Sequence, residues 1–276
     1  MEQKSFESDK DLSQEGQEQT SWALILGGSQ GLGLATARKL AGHGYHLIIV
    51  HRDRRTDLEE IRHDLEEMRS KGVQVKSFNI DALNNEKRRD LISRLGETLP
   101  ADHSIKILIH SIAKGSLKPM YAQDKPTLSE QDFKITLDAM ALSLYDWVKD
   151  LVKANLFAAD TRIVAFTSEG NTKAIANYGA VSVAKVALEA LVRNIALEFA
   201  PIGIKANCIQ AGVTVTRSFE MIPGNAQIKS NALKRNPNNR LTMPEDVADA
   251  VYLLTLNEAK WITGTVIKVD GGESLQ

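Results

Sequence analysis

Seven residues, Gly27-Gly28-Ser29-Gln30-Gly31-Leu32-Gly33, carry the first chemistry legible in this chain. Glycines let a backbone turn tightly and bring its N–H groups against a pyrophosphate. Set between a short apolar run and an amphipathic one, the loop would hand such an anion to a helix N-terminus, where unbonded N–H groups and a partial positive charge favour it. The implied chemistry is dinucleotide binding, with Gly27, Ser29, Gln30, Gly31, Leu32 and Gly33 as the cradle. A second informative place is the end of the next apolar run, HLIIV, where an acid would take a free ribose and an arginine a ribose phosphate. His51-Arg52-Asp53-Arg54-Arg55 follows. Arg52 comes first and has more basic neighbours, so NADP(H) is favoured over NAD(H), with Asp53 as the residue that speaks for NAD(H).

The elements that must position these residues read as alternating strands and helices. Trp22–Leu26, His46–Val50, Val73–Phe78, Ile105–Ile109, Arg162–Thr167, Ile204–Ile209 and Thr265–Val269 are short, apolar and rich in Val and Ile, as buried parallel strands are. Segments such as Leu32–Ala41, Thr56–Lys71 and Ser129–Leu156 have helical spacing. The alternation predicts an α/β fold, a doubly wound parallel sheet of the Rossmann type in a single domain over 21–276. Arg217–Arg240 lacks clear periodicity and is expected to be a mobile lid.

Composition removes several classes of function. The net charge of −1 over 276 residues gives no bulk attraction for nucleic acid or an acidic membrane surface. The single cysteine, Cys208, allows no disulfide within the chain and suits a reducing, cytoplasmic setting. No stretch is long and apolar enough to span a bilayer. Residues 1–20 are polar and acidic, without the apolar run of an export signal, and are expected to form a disordered tail. No metal is expected.

From about Trp22 to Leu275 the sequence resembles the short-chain dehydrogenase/reductase family. The glycine loop is similar to its Gly-x3-Gly-x-Gly, with Leu26 where Thr is usual. Pro244-Glu245-Asp246-Val247-Ala248 and Ile262-Thr263-Gly264 with Val269-Asp270-Gly271-Gly272 resemble its carboxy-terminal signatures. The resemblance implies that Asp81 lies beside the adenine, and that Ser111, Ile112 and Ala113, in the place of the family's Asn-Asn-Ala-Gly, line the dinucleotide. It also implies Lys185 as the lysine on the nicotinamide ribose and Ser168 as the serine at the end of the preceding strand. The usual tyrosine position, however, holds Val181, and a tyrosine stands one turn earlier, giving Tyr178-x6-Lys185. That spacing resembles the enoyl-acyl-carrier-protein reductases. So do Ile109-His110-Ser111-Ile112, the ending Asp270-Gly271-Gly272-Glu273-Ser274-Leu275, and Ala211-Gly212-Val213-Thr214-Val215-Thr216, whose Gly212, Thr214 and Thr216 would contact the cofactor.

Positions seven apart share a helix face, so Tyr178 and Lys185 are expected to face the cofactor together. A three-residue step along a helix is about 4.5 Å. In an α,β-unsaturated thioester the carbon that takes hydride lies three bonds from the oxygen that takes charge, so its proton donor must be displaced from the place that suits a ketone. On this reading Tyr178 hydrogen-bonds the developing enolate, Lys185 lowers the tyrosine pKa, and Ser168 helps orient the substrate or cofactor. Met140 stands where many ketoreductases keep an asparagine. Apolar Phe219, Met221, Ile222 and Pro223 would cover an acyl chain, and Lys229, Lys234 and Arg235 would meet a phosphopantetheine or an acidic carrier protein. The expected activity is NADP(H)-dependent reduction of an enoyl thioester, on acyl carrier protein, in fatty-acid synthesis, by a homodimer or homotetramer. A short-chain carbonyl or 3-ketoacyl reductase and a non-catalytic dinucleotide-binding regulator stay open beside it.

Overall fold

A computed structural model describes residues 21–99 and 104–276; the tail expected over 1–20 lies outside them. Seven strands pair in parallel in the order β3-β2-β1-β4-β5-β6-β7. They are β1 (Trp22–Leu26), β2 (His46–His51), β3 (Val75–Asn79), β4 (Ile105–His110), β5 (Phe157–Ser168), β6 (Ile204–Ala211) and β7 (Val266–Val269). Every residue of β1 is buried, because both faces of the sheet are covered.

On one face, α1 (Gly31–Gly42), α2 (Leu58–Arg69) and α9 (Pro244–Thr255) pack over Ile25, Leu47, Ile49, Ile107, Ile109 and Ile209. On the other, α3 (Asn85–Thr98), α5 (Ser143–Lys153) and α6 (Gly179–Glu198) cover Leu24, Ile48, Leu108, Ile163 and Ala206. The strand order reverses between β1 and β4, and helices leave in opposite directions there, which opens a crevice at the strands' carboxyl ends. Ser111 N–H bonds the Leu26 carbonyl across that crevice at 2.9 Å and fixes the two strand ends together.

The predicted strands all form, with β5 starting earlier, at Phe157, through an irregular register against β4. The predicted helix over Ser129–Leu156 is interrupted. α4 (Glu130–Leu137) begins on a capping box of Ser129 and Asp132, and a π-helical turn over Asp138–Leu142 separates it from α5. The segment Arg217–Arg240 is not irregular. It folds as α7 (Arg217–Glu220) and α8 (Asn225–Arg235), but α8 buries only Ala232, so it lacks the apolar stripe by which a helix is recognised in sequence.

Candidate active site

The crevice is lined by groups from the ends of β1 to β6. After β1, Gly27 takes φ +85°, and a side chain there would begin 2.4 Å from the Ser111 carbonyl oxygen. A side chain at Gly33 would begin 2.1 Å from the Gly27 carbonyl oxygen. Chain packs this closely only where no Cβ intervenes. Gln30 caps α1 without a side-chain hydrogen bond to the helix, and no acid stands in the first turn, so the helix's leading N–H groups stay available to an anion. Ser29, Gly31 and Leu32 belong to the same turn, and Thr216 closes its far side, with Cγ2 3.3 Å from where a side chain of Gly31 would start. A dinucleotide fits these residues: the glycine cradle and the uncapped helix end supply the contacts its pyrophosphate needs.

At the adenosine end, Asp53 turns inward. Its carboxylate is 2.8 Å from His51 Nδ1 and accepts from Gln30 Nε2 at 3.3 Å, and its side chain is only 5% exposed. Asn79 exchanges two hydrogen bonds with the Asp53 backbone. Arg52 is 62% exposed and pairs with Asp81 at 2.7 Å, which brings the two residues expected to flank the adenosine together. Ser111, Ile112 and Ala113 continue from the end of β4, the last of them exposed.

At the reacting end, α6 delivers Tyr178 and Lys185. Tyr178 is the residue that caps α6 (φ −111°, ψ 5°) rather than a member of it, so the step to Val181 is not wholly helical as the spacing implied. Its carbonyl accepts the first helical hydrogen bond, from Ser182 N–H at 2.8 Å. The preceding Asn177 is left-handed, at φ 63°, a conformation asparagine tolerates, and this throws the phenol back over the end of β5. The ring lies against Gly170, where a side chain would begin 2.7 Å from Cε1. Ser168 Oγ is buried beside it, without a fully formed hydrogen bond. One turn further on, Val181 packs with Met140, Ala139 and Ala184 in an apolar cluster, and the Tyr178 ring packs against it.

Lys185 is 7% exposed and donates to the Phe166 carbonyl at 2.6 Å. Burial brings it down to about 8, partly opposed by Cys208 and Glu189. The expectation that Lys185 lowers the tyrosine is not met: burial pushes Tyr178 above the usual phenol range, and the group opposing this is Ser168. The lysine's ammonium is turned to the strand backbone instead. Tyr178 is therefore a neutral phenol with its proton in place. His110, at the end of β4, is held near 3 by burial and then by the charge of Lys185. Ser143 Oγ donates to the Ala139 carbonyl in the π-helical turn, so neutral His110 donates from Nε2 to that oxygen at 2.8 Å.

Beyond β6, Gly212 is fixed to Val269 by its N–H, and Thr214 Oγ1 turns back on the Gly212 carbonyl. Thr216 Oγ1 caps α7 by accepting from Phe219 N–H. Met221 is 73% exposed at the mouth, with Phe219 and Ile222 half-buried. Lys229 and Lys234 face solvent, but Arg235 does not serve with them. It reaches inward to Glu169 and Glu273 at 2.9 and 2.8 Å, because α8 runs back over the residue that follows Ser168.

The sequence reading missed Gly170, Glu169, Glu273 and a group formed by Thr167, Asn171 and Glu189. Only Glu189, four residues after Lys185 on a helix, left a signal that could have been followed. Among the described residues there is no cluster of three or more His, Cys, Asp or Glu able to hold a metal, and no helix long and apolar enough to cross a membrane.

Comparison with known proteins shows what the chain is similar to. A family model described as Enoyl-(Acyl carrier protein) reductase matches residues 27–274. The crystal structure of an enoyl-[acyl-carrier-protein] reductase (NADH) from Aquifex aeolicus is 26% identical, covers 93% of this chain and 97% of its own, and has a TM-score of 0.78. That of a Bacillus cereus enoyl-acyl carrier protein reductase with NADP+ and indole naphthyridinone has a TM-score of 0.82 over 93% of this chain and 97% of its own, and at 23% identity speaks for the fold. A tropinone reductase homolog from Arabidopsis thaliana is 30% identical over 252 residues, 90% of this chain and 89% of its own.

Proposed function

The chain belongs to the short-chain dehydrogenase/reductase family, through the group described as Enoyl-(Acyl carrier protein) reductase, and from that premise we propose that it reduces the carbon–carbon double bond of an enoyl thioester with NADPH. The observation that carries this is the displaced phenol. Tyr178 stands at the mouth of α6 over Gly170, while the place one turn on is filled by Val181 and Met140. A ketone reductase needs its donor beside the carbon that takes hydride; an enoyl reductase needs it at the distant thioester oxygen.

A dinucleotide held by these residues would supply hydride to the β-carbon, and the enolate so formed would take its proton at the α-carbon from water. The chain's own residues do the rest. Tyr178 donates a hydrogen bond to the thioester oxygen as negative charge gathers there, and the raised pKa keeps its proton available for that role. Ser168 Oγ, buried beside the phenol and without a fully formed hydrogen bond, turns to the same oxygen. Lys185, cationic below about 8, holds the ribose hydroxyls. Val181 and Met140 exclude water from the path. Arg52 and its basic neighbours meet the ribose phosphate, since the Asp53 carboxylate is engaged with His51 and Gln30; this favours NADPH over NADH. Met221 and the other apolar residues of α7 and its turn cover the acyl chain, and Lys229 and Lys234 meet an acidic carrier protein. The working form is a homodimer or homotetramer in the cytoplasm.

A carbonyl reductase is the second reading, favoured by the juxtaposition of Ser168 and Tyr178, two hydroxyls that would also bind a single ketone oxygen. NADPH oxidation with a crotonyl thioester and with an acetoacetyl thioester separates them. Faster turnover of the crotonyl substrate, lost in Tyr178→Phe, is expected. Preference for the acetoacetyl substrate would sink the enoyl assignment.

A further inference from the structure

Three successive residues at the end of β5 each meet a residue of the α6 region. The Phe166 carbonyl takes the ammonium of Lys185 at 2.6 Å, Thr167 Oγ1 donates to Glu189 Oε1 at 2.5 Å, and Ser168 lies at Tyr178. Glu189 is a half-buried carboxylate one helical turn beyond Lys185, on the same side of α6. Asn171 Nδ2, from the turn that follows Ser168, donates to the same oxygen at 2.6 Å and lies 3.4 Å from Gln210 Oε1 on β6. A carboxylate that accepts one hydrogen bond from the end of β5 and another from the turn beyond it is held in place.

We propose that Glu189 is a positioning residue, the fixed anion that keeps the buried Lys185 cationic and its ammonium aligned along the end of β5. The titratable and charged groups facing the lysine leave it as the source of that charge. On β4, His110 is neutral above about 3 and offers no anion. On β6, Cys208 is buried and pushed up to about 12, so it is an uncharged thiol at neutral pH. On the α6 side, Tyr178 is a neutral phenol, and Arg193, which acts on Cys208, is a cation. An ammonium buried among these groups loses its proton easily unless an anion stands near. The inference rests on the reading of Lys185 as the cofactor's lysine for its meaning, though not for its measurement.

The test follows the ε-carbon of Lys185 by NMR in protein labelled with 13C-lysine, the signal being assigned by its loss in Lys185→Met. In Glu189→Gln the midpoint of the titration is expected to fall by about one pH unit, a tenfold change in proton affinity. Glu189→Asp should restore most of it, and Glu198→Gln, on the exposed end of the same helix, should leave it unmoved. Should Glu189→Gln fail to fold, Asn171→Ala leaves the carboxylate present but less firmly held and is expected to move the midpoint in the same direction by less. A midpoint unchanged in Glu189→Gln, or in Asn171→Ala where Glu189→Gln does not fold, would overturn the proposal. Thioester reduction does not enter the measurement, so a shifted midpoint without reductase activity would count against the function and leave Glu189 its role.

Discussion

At the scale of the residue, the proposed site is a matter of one phenol and one ammonium, both changed by burial in the direction of the neutral form. Tyr178→Phe removes the hydroxyl and little else, so it should lower kcat for a crotonyl thioester about 100-fold while leaving dinucleotide affinity nearly unchanged. Steady-state kinetics beside NADPH fluorescence titration checks both halves. Lys185 carries a pH dependence of definite sign. Its folded pKa, about 8, lies below the 10.5 of an unperturbed lysine, so the folded state gives up the proton first. Between these values the unfolded chain binds more protons, and this group makes stability rise with pH across that window. Below it, the buried charge is a standing cost to the fold. Lys185→Met at pH 7 is therefore expected to raise the melting temperature of the free protein by a few degrees and to abolish dinucleotide binding. A lower melting temperature would mean that the bond to the Phe166 carbonyl outweighs the burial of charge. In the wild type, affinity for the dinucleotide should decline as pH passes about 8, because the ammonium is the form that donates to ribose.

At the scale of the element, α8 differs from the helices around it. It buries one residue along its length and is held at its C-terminal end by Arg235, which bridges Glu169 and Glu273. Glu273 is the more constrained of the two carboxylates: its side chain is 3% exposed, and burial raises its pKa although Val213 N–H and Arg235 oppose this. Removing the guanidinium strands that carboxylate and releases the helix from the residue after Ser168. Arg235→Gln should cost on the order of 1–3 kcal/mol, less than a fully buried pair because Arg235 itself is partly solvated. It should also raise KM for the thioester more than KM for NADPH and speed proteolytic cleavage within 221–231. Limited proteolysis with kinetics on both substrates is the check, and equal effects on the two KM values would show that α8 does not serve the acyl side.

At the scale of the whole molecule, apolar side chains remain uncovered on neighbouring helices of one face. Leu142 and Tyr145 lie 42% and 40% exposed at the start of α5, and Val183 and Val186 lie 50% and 48% exposed on α6. The helix that carries Lys185 thus has its outer side exposed, the face that the proposed homo-oligomer would cover. Val186→Asp should then shift the protein to a smaller species in analytical ultracentrifugation and lower kcat through loosening of α6. An unchanged sedimentation coefficient would place any self-association elsewhere. The sequence by itself determined the sheet, because buried parallel strands and amphipathic helices print their periods in the order of residues, and it determined the glycine cradle, because only glycine permits that turn and that approach. It also offered Tyr178, Lys185 and Ser168 as the proposed site, through their spacing and a likeness to a family. Only tertiary structure decided which way side chains turn. Asp53 is engaged by His51 and Gln30, Arg235 faces two carboxylates rather than a partner, and Lys185 faces a strand carbonyl with Glu189 one turn away. Those outcomes depend on contacts between residues far apart in the chain, where burial and charge act through space and leave no pattern in sequence.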